Sequence, residues 1–330
     1  MSVTLKDVAK LAGVSTATVS MVVNHKPGRF SEKTRQEVER SIAQLGYKPN
    51  YTARSLASSQ SNTIGLIVPE ITNPFFAEFA RNLEKYLHKA GYITFLCNSG
   101  EDLKLEERYM DKLIGHSVDG LIICGLTEQS QEKLTLLKKH AIPYLVLDNR
   151  RVQNQFSIGI DDYAGGQLAA EHLITRNHHV CAFVGDFAGY RNIQHRYEGF
   201  ADTLAAANCE TLLFTADMTQ AGGQKVAKQV FDSRASAVFC ANDLIAVGVY
   251  EQANLHGVHL PHDLSIVGFD DISFAQILSP KLTTIKQPLE QMAQIATQRL
   301  VDMIKHKELA FEPLTLPLTM LVRQSTVALH

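Results

Sequence analysis

Residues 4–24, TLKDVAKLAGVSTATVSMVVN, read as two short helices and the turn between them. Thr4 and Asp7 have capping-box spacing, with Asp where Glu or Gln is usual, and Leu5, Val8, Ala9, Leu11 and Ala12 then supply an apolar face. Gly13 stops that helix, and Ser15 caps a second whose inward side is Val19, Val22 and Val23. The second helix also carries Ser15, Thr16, Thr18 and Ser20, hydroxyls in places where stronger helix formers would serve. Small hydroxyl side chains bond bases or phosphates and let a helix sit deep in a DNA major groove, where Ala and Thr methyls pack on thymine methyls. A third helix starts at Ser31, with Val38, Ile42 and Leu45 on one face and Gly46 after it. Helix, glycine turn, helix is the helix-turn-helix pattern.

The charge distribution points the same way. Formal net charge is -2 over 330 residues, yet residues 1–60 hold nine Lys/Arg against four acids, +5, which leaves -7 for the remainder. A basic end on an acidic body is the electrostatic footprint of a nucleic-acid reader. Residues 47–63, YKPNYTARSLASSQSNT, are polar, poor in apolar side chains and read as a linker.

From Ile64 the texture changes. TIGLIVP, ITFLCNS, GLIICG and YLVLD alternate with helical patterns near 74–89, 103–115 and 128–139. The plan then begins again, with HVCAFVGD, ETLLFTAD, AVFCAND and SIVGFDD alternating with helices near 191–207, 219–232 and 243–256. This is α/β texture: two doubly wound parallel sheets in tandem, with ligands expected at the carboxyl ends of the strands. Polar residues collect at those ends: Asn73, Asp148, Asn242, Asp270 and Gln287. Amides and carboxylates accept and donate in fixed pairs, as a hydroxyl-rich ligand requires, and Phe75 and Phe76 offer a flat apolar surface for a ring. The constellation reads as a sugar pocket between two lobes.

Other classes fit less well. The start MSVTLKD has no signal-peptide pattern and no stretch reaches membrane-span length, so a cytoplasmic protein with no membrane partner is expected. Five scattered cysteines read as buried thiols, and no Cys/His spacing suggests a metal. There is no G-x-G-x-x-G at the first strand, nor G-x-S-x-G, H-E-x-x-H or P-loop, so neither an enzyme nor a cofactor is expected. A secreted sugar-binding protein would share the sheets but not the basic head.

The stretches TLKDVAKLAGVSTATVSMVVN, GYKPNYTARSLAS, TIGLIVPEITNPFF, FCANDLIAVGVYE and LSIVGFDDISFAQILSPKLTTIKQP together resemble the LacI/GalR family of bacterial transcription regulators, over essentially the whole chain. The sensing part is most similar to the ribose and purine repressor branch. NPFF, LDNR, HRYEGF, AND, GFDD and KQP also resemble periplasmic ribose-binding proteins.

The resemblance implies a DNA-binding head at 1–49, a hinge helix or linker at 50–61, and an effector-binding and dimerisation domain at 62–330. The latter's first lobe takes about 62–161 and 289–319, its second about 162–288 and 320–330. Thr16, Ala17 and Met21 match base-reading positions. Ser15, Ser20, Asn24, Ser31 and Tyr47 match phosphate contacts, Thr4 stands at the same surface, and Arg29 lies in a loop that adds a contact. Arg54, Ser55 and Leu56 fall on the hinge helix, where a leucine from each subunit wedges into the minor groove. Asn73, Phe75, Phe76, Asp148, Arg196, Asn242, Asp270 and Gln287 match sugar-binding positions. Asn149 stands where ribose binders have arginine, and Met218 where an aromatic lid is common, so ribose, another pentose, a hexose, a phosphorylated sugar or a nucleoside all stay open. The implied protein is a homodimer that reads a near-palindromic double-stranded operator, as a sugar-released repressor or, alternatively, a purine-recruited one.

Overall fold

The computed structural model describes residues 3–23, 30–47, 60–100, 102–125, 131–147, 157–187, 191–306 and 311–329, with 131–133 in backbone only. The chain divides into two units, Met1–Ser61 and Asn62–His330.

In the first unit, α1 (Leu5–Ala12), α2 (Thr16–Val23) and α3 (Glu32–Leu45) enclose a small core of Val8, Ala9, Val19, Val22 and Val38. Each helix begins on a hydroxyl. Thr4 forms the reciprocal capping box with Asp7, Ser15 Oγ accepts from Thr18 N at 3.1 Å, and Ser31 Oγ accepts from Thr34 N at 3.1 Å. Gly13 and Gly46 close α1 and α3 at φ +64° and +61°, the left-handed conformation glycine adopts without strain. One expected core residue is outside: Leu11 is 44% exposed. Leu5, Val8, Ala9 and Ala12 follow the i, i+3, i+4, i+7 stripe, and position 11 lies off it.

In the second unit, the first lobe carries β1 (Thr63–Val68), α4 (Pro74–Lys89), β2 (Ile93–Asn98), α5 (Leu103–Gly115), β3 (Gly120–Cys124), α6 (Gln131–Lys139), β4 (Tyr144–Leu147) and β5 (Ser157–Ile160). The second repeats the plan with α7 (Asp162–Ile174), β6 (Val180–Gly185), α8 (Arg191–Ala206), β7 (Glu210–Thr215), α9 (Gln220–Phe231), β8 (Ala237–Cys240), α10 (Asp243–His256), β9 (Ser265–Asp270) and β10 (Thr283–Lys286). The chain then returns as α11 (Leu289–His306) and β11 (Leu314–Leu316) to the first lobe, and as β12 (Thr319–Leu321) to the second.

The sheet orders are β11-β5-β4-β3-β1-β2 and β12-β10-β9-β8-β6-β7, parallel except for β12 against β10. Both contain the order 2-1-3-4-5, whose direction reverses beside the first strand of each lobe. A reversal of strand order of this kind is where a crevice opens at the carboxyl ends of the strands. Thr319 pairs with Lys286 and so belongs to the second sheet, one residue before the expected boundary.

Apolar runs make the central strands: β3, β4 and β8 are buried along their whole length, as strands covered by helices on both faces must be. Edge strand β2 differs, with Ile93, Phe95 and Leu96 exposed by 61%, 43% and 47%. In the second lobe α7 crosses α8 at glycine. A Cβ on Gly166 would lie 2.0 Å from Arg196 O, and one on Gly199 2.0 Å from Tyr163 O. Only glycine permits this approach.

Candidate functional site

A cleft of about 720 Å³ opens between the lobes at the carboxyl ends of both sheets. Asn73 ends the loop after β1 and caps α4, its Oδ1 accepting from Phe75 N at 3.0 Å. Among the described residues nothing bonds its Nδ2, which carries two donor protons. The rings of Phe75 and Phe76 follow, edge to face at 4.9 Å between centroids, and form the apolar part of the wall.

The facing wall comes from the second lobe. Asn242 caps α10, accepting from Ile245 N at 2.9 Å, and its Nδ2 donates to Met218 O at 2.9 Å, which ties the loop before α9 to the cleft. Arg196 from α8 is buried. Its Nε donates to Asp162 Oδ1 and its Nη1 to Ala241 O, both at 2.7 Å, and the guanidinium lies 3.6 Å from the centre of the Phe269 ring. Nη2 carries no bond to another described residue. At the end of β9, Asp270 accepts at Oδ1 from Gln287 Nε2 at 2.7 Å. Gln287 lies on the crossover from β10 to α11, so this bond joins the second lobe to the chain returning to the first. Behind this wall Asp243 is fully buried, and burial, then the nearby Asp270 carboxylate, hold its carboxyl well above the usual range.

The structure thus brings Asn73, Phe75, Phe76, Arg196, Met218, Asn242, Asp270 and Gln287 to one cleft. Asp148 and Asn149 lie outside the described residues, as do Asn24, Arg29, Arg54, Ser55 and Leu56. Sequence reading passed over Glu70, Thr72, Asp186, Asn192, Asp217 and Gln220, which also line the cleft. Asp186 and Asp217 directly follow strand-like runs, the signal that marked Asn242 and Asp270. Asn192 precedes Arg196 by one helical turn and is recognisable only once that face of α8 is known to meet the cleft.

In the first unit, Thr16, Ala17, Ser20 and Met21 lie on one side of α2, spread over about 140° of its circumference and opposite Val19 and Val22. Thr16 and Ala17 are exposed, Ser20 and Met21 half-buried. Thr4, Ser15 and Ser31 are exposed at helix N-termini, where backbone N–H groups favour anions. Tyr47 packs at the edge of the small core. Among the described residues no cluster of three or more His, Cys, Asp or Glu could hold a metal ion, and no helix is long and apolar enough to cross a membrane.

Comparison with known proteins joins these two surfaces. Residues 4–50 match the model for bacterial regulatory proteins of the lacI family, and residues 170–326 match the periplasmic binding protein-like domain. The ribose operon repressor of Halalkalibacterium halodurans is 34% identical, over 98% of this chain and 97% of its own. The transcriptional repressor PurR of Vibrio vulnificus is 37% identical over 92% and 93%. Among solved structures, a LacI family regulator from Enterococcus faecium with bound ribose covers 81% of this chain and 100% of its own, at 34% identity and TM-score 0.76. The lac repressor dimer bound to operator covers 99% and 100%, at 27% identity and TM-score 0.88. With a three-helix head, two sheets of one plan and relatives that span the full order of elements, the chain belongs to the lacI family of bacterial regulatory proteins.

Proposed function

We propose that the protein is a ligand-responsive transcriptional repressor that binds a near-palindromic operator as a homodimer and an unphosphorylated sugar in the inter-lobe cleft. The observation that carries this is the cleft itself: amides, carboxylates and one fixed guanidinium converge beside two aromatic rings. The described lining holds four carboxylates, Glu70, Asp186, Asp270 and Asp217, the last with Lys225 Nζ 3.6 Å away, against Arg196, which is already paired with Asp162. Such a field repels a phosphate and tolerates a neutral polyol. The ribose bound by the E. faecium relative fits that description.

The outward face of α2 supplies the groove-reading surface, with the hydroxyls of Ser15, Thr16 and Ser20 toward DNA. The exposed apolar side chains of β2 support a dimer, because an edge strand bearing Ile93, Phe95 and Leu96 in the open invites a second copy. The protein acts where the DNA is, in the cytoplasm, and regulates by binding, with no reaction and no cofactor. Residues 1–49, 50–61 and 62–330 serve as reader, connector and sensor.

A thermal-shift and operator-binding pair of measurements tests the reading. D-ribose at roughly a hundredfold above its Kd should raise Tm by about 5 °C, and D-ribose 5-phosphate should not. The ligand that raises Tm should also change affinity for an operator selected from random duplexes, since linkage requires the coupling to be reciprocal. No shift with any pentose, hexose or nucleoside, or no selected duplex, defeats the proposal.

A further inference from the structure

β9 ends in a corner that its own residues do not favour. Asp270 has φ +113° and Asp271 φ +59°, two consecutive non-glycine residues in conformations that L side chains avoid. Such a corner persists only where its surroundings hold it.

The holding groups lie behind the cleft. Asp243 Oδ2 accepts from Ile272 N at 2.9 Å and its Oδ1 from Thr284 Oγ1 at 2.7 Å, which pins the chain just past the corner to α10 and β10. The carboxyl group is tightly seated, since a Cβ on Gly268 would stand 2.1 Å from its Oδ1. Asp271, also buried at its side chain, takes the Arg323 guanidinium, with Lys286 Nζ 3.7 Å away. Arg323 is itself fixed, Nη1 donating to Leu282 O at 2.8 Å and its backbone N to Thr283 Oγ1 at 2.9 Å. Neither Asp243 nor Arg323 lines the cleft.

We propose that Arg323, on the C-terminal segment, and Asp243 are positioning residues for the effector: they brace the Asp270–Asp271 corner from behind, so that the Asp270 carboxylate meets the ligand in one orientation. The proposal rests on the reading of the cleft as the effector site. It makes the C-terminal segment a determinant of effector affinity without any contact to the effector.

The test uses the full-length protein and two readouts: amide exchange of residues 268–278 by mass spectrometry without ligand, and the Tm shift given by D-ribose. Arg323→Gln should speed exchange of that segment about tenfold or more and abolish the ribose shift, while Arg323→Lys should restore most of both. Thr284→Val, which removes a donor to Asp243 at nearly constant volume, should act in the same direction and serves if Arg323→Gln fails to fold. Asn177→Ala is the control: it loosens the tail elsewhere by removing the 2.9 Å bond to Leu329 O and should leave both readouts as in the wild type. Unchanged exchange at 268–278 in Arg323→Gln and Thr284→Val overturns the brace. Equal effects of Asn177→Ala and Arg323→Gln also overturn it, because general fraying of the tail would then suffice. If wild type itself gives no shift with D-ribose, the reading of the cleft as a ribose site fails, and the exchange measurement still decides the brace.

Discussion

Arg196 and Asp162 form an ion pair of 2.7 Å with side chains only 4% and 12% exposed, across the crossing of α8 and α7. The pair fixes the guanidinium at the wall of the cleft. Arg196→Met deprives the buried Asp162 carboxylate of its ion-pair partner, so it should cost about 3–5 kcal/mol of stability in urea denaturation. The double variant Arg196→Met with Asp162→Leu should recover most of that loss yet stay blind to ligand, because apolar packing replaces the pair but not the donor. Recovery of the ligand-induced Tm shift in the double variant would show that Arg196 is scaffolding alone.

The same crossing predicts that Gly166→Ala is among the most damaging single substitutions. Its Cβ would press on the Arg196 carbonyl from 2.0 Å, a contact with backbone rather than with a flexible side-chain end. The helices must part, and a loss of about 3 kcal/mol or more is expected by chemical denaturation. Wild-type stability in this variant would mean that α7 and α8 are not so close.

In the head, the capping role of Ser15 separates from its DNA role. Asp is as good an N-cap as Ser, so Ser15→Asp should leave the thermal unfolding of the head within a few tenths of a kcal/mol, whereas Ser15→Ala should cost about 1 kcal/mol. A carboxylate facing a phosphate is repulsive, and operator affinity of Ser15→Asp should fall about tenfold or more. Unchanged binding by Ser15→Asp in fluorescence anisotropy would remove Ser15 from the DNA contacts.

Stability should fall with acid through His172. Burial, then the Arg176 charge, lower its pKa from 6.5 to about 4, and its Nε2 lies 2.9 Å from Thr326 Oγ1. The unfolded chain therefore binds the proton more readily, so stability is full above the unfolded pKa and declines as pH drops from 6.5 toward 4. Between pH 7 and pH 5 the loss is about 2 kcal/mol, and His178, lowered chiefly by burial, adds in the same direction. His172→Gln should flatten that part of the pH–stability curve. An unaltered curve would place the acid sensitivity elsewhere.

Much of this organisation is local and therefore legible. Capping hydroxyls, Gly13, Gly46 and the alternation of apolar runs with amphipathic ones each act within a few residues. The reading of elements passed over β5 and α11, and others escaped because distant partners define them: β11 and β12 are three residues long and exist through pairing with β5 and β10, and α7 carries Gly165 and Gly166, which argue against a helix until α8 is seen packed on them. For Asn73 and Asn242, helix capping and a place in the cleft are not alternatives. The geometry shows both capping a helix while lining the cleft, because helix N-termini at the carboxyl ends of parallel strands are where such clefts open. The brace on Asp270 had no local signal, since Arg323 and Asp271 meet only in the folded second lobe.

The return of the chain through α11, β11 and β12 sets an order of events during synthesis. Until residues 289–321 emerge from the ribosome, the first lobe lacks the helix that buries Leu300 against its sheet and the second lacks its antiparallel edge. Neither lobe can finish alone as it is translated; both complete together, at the last moment.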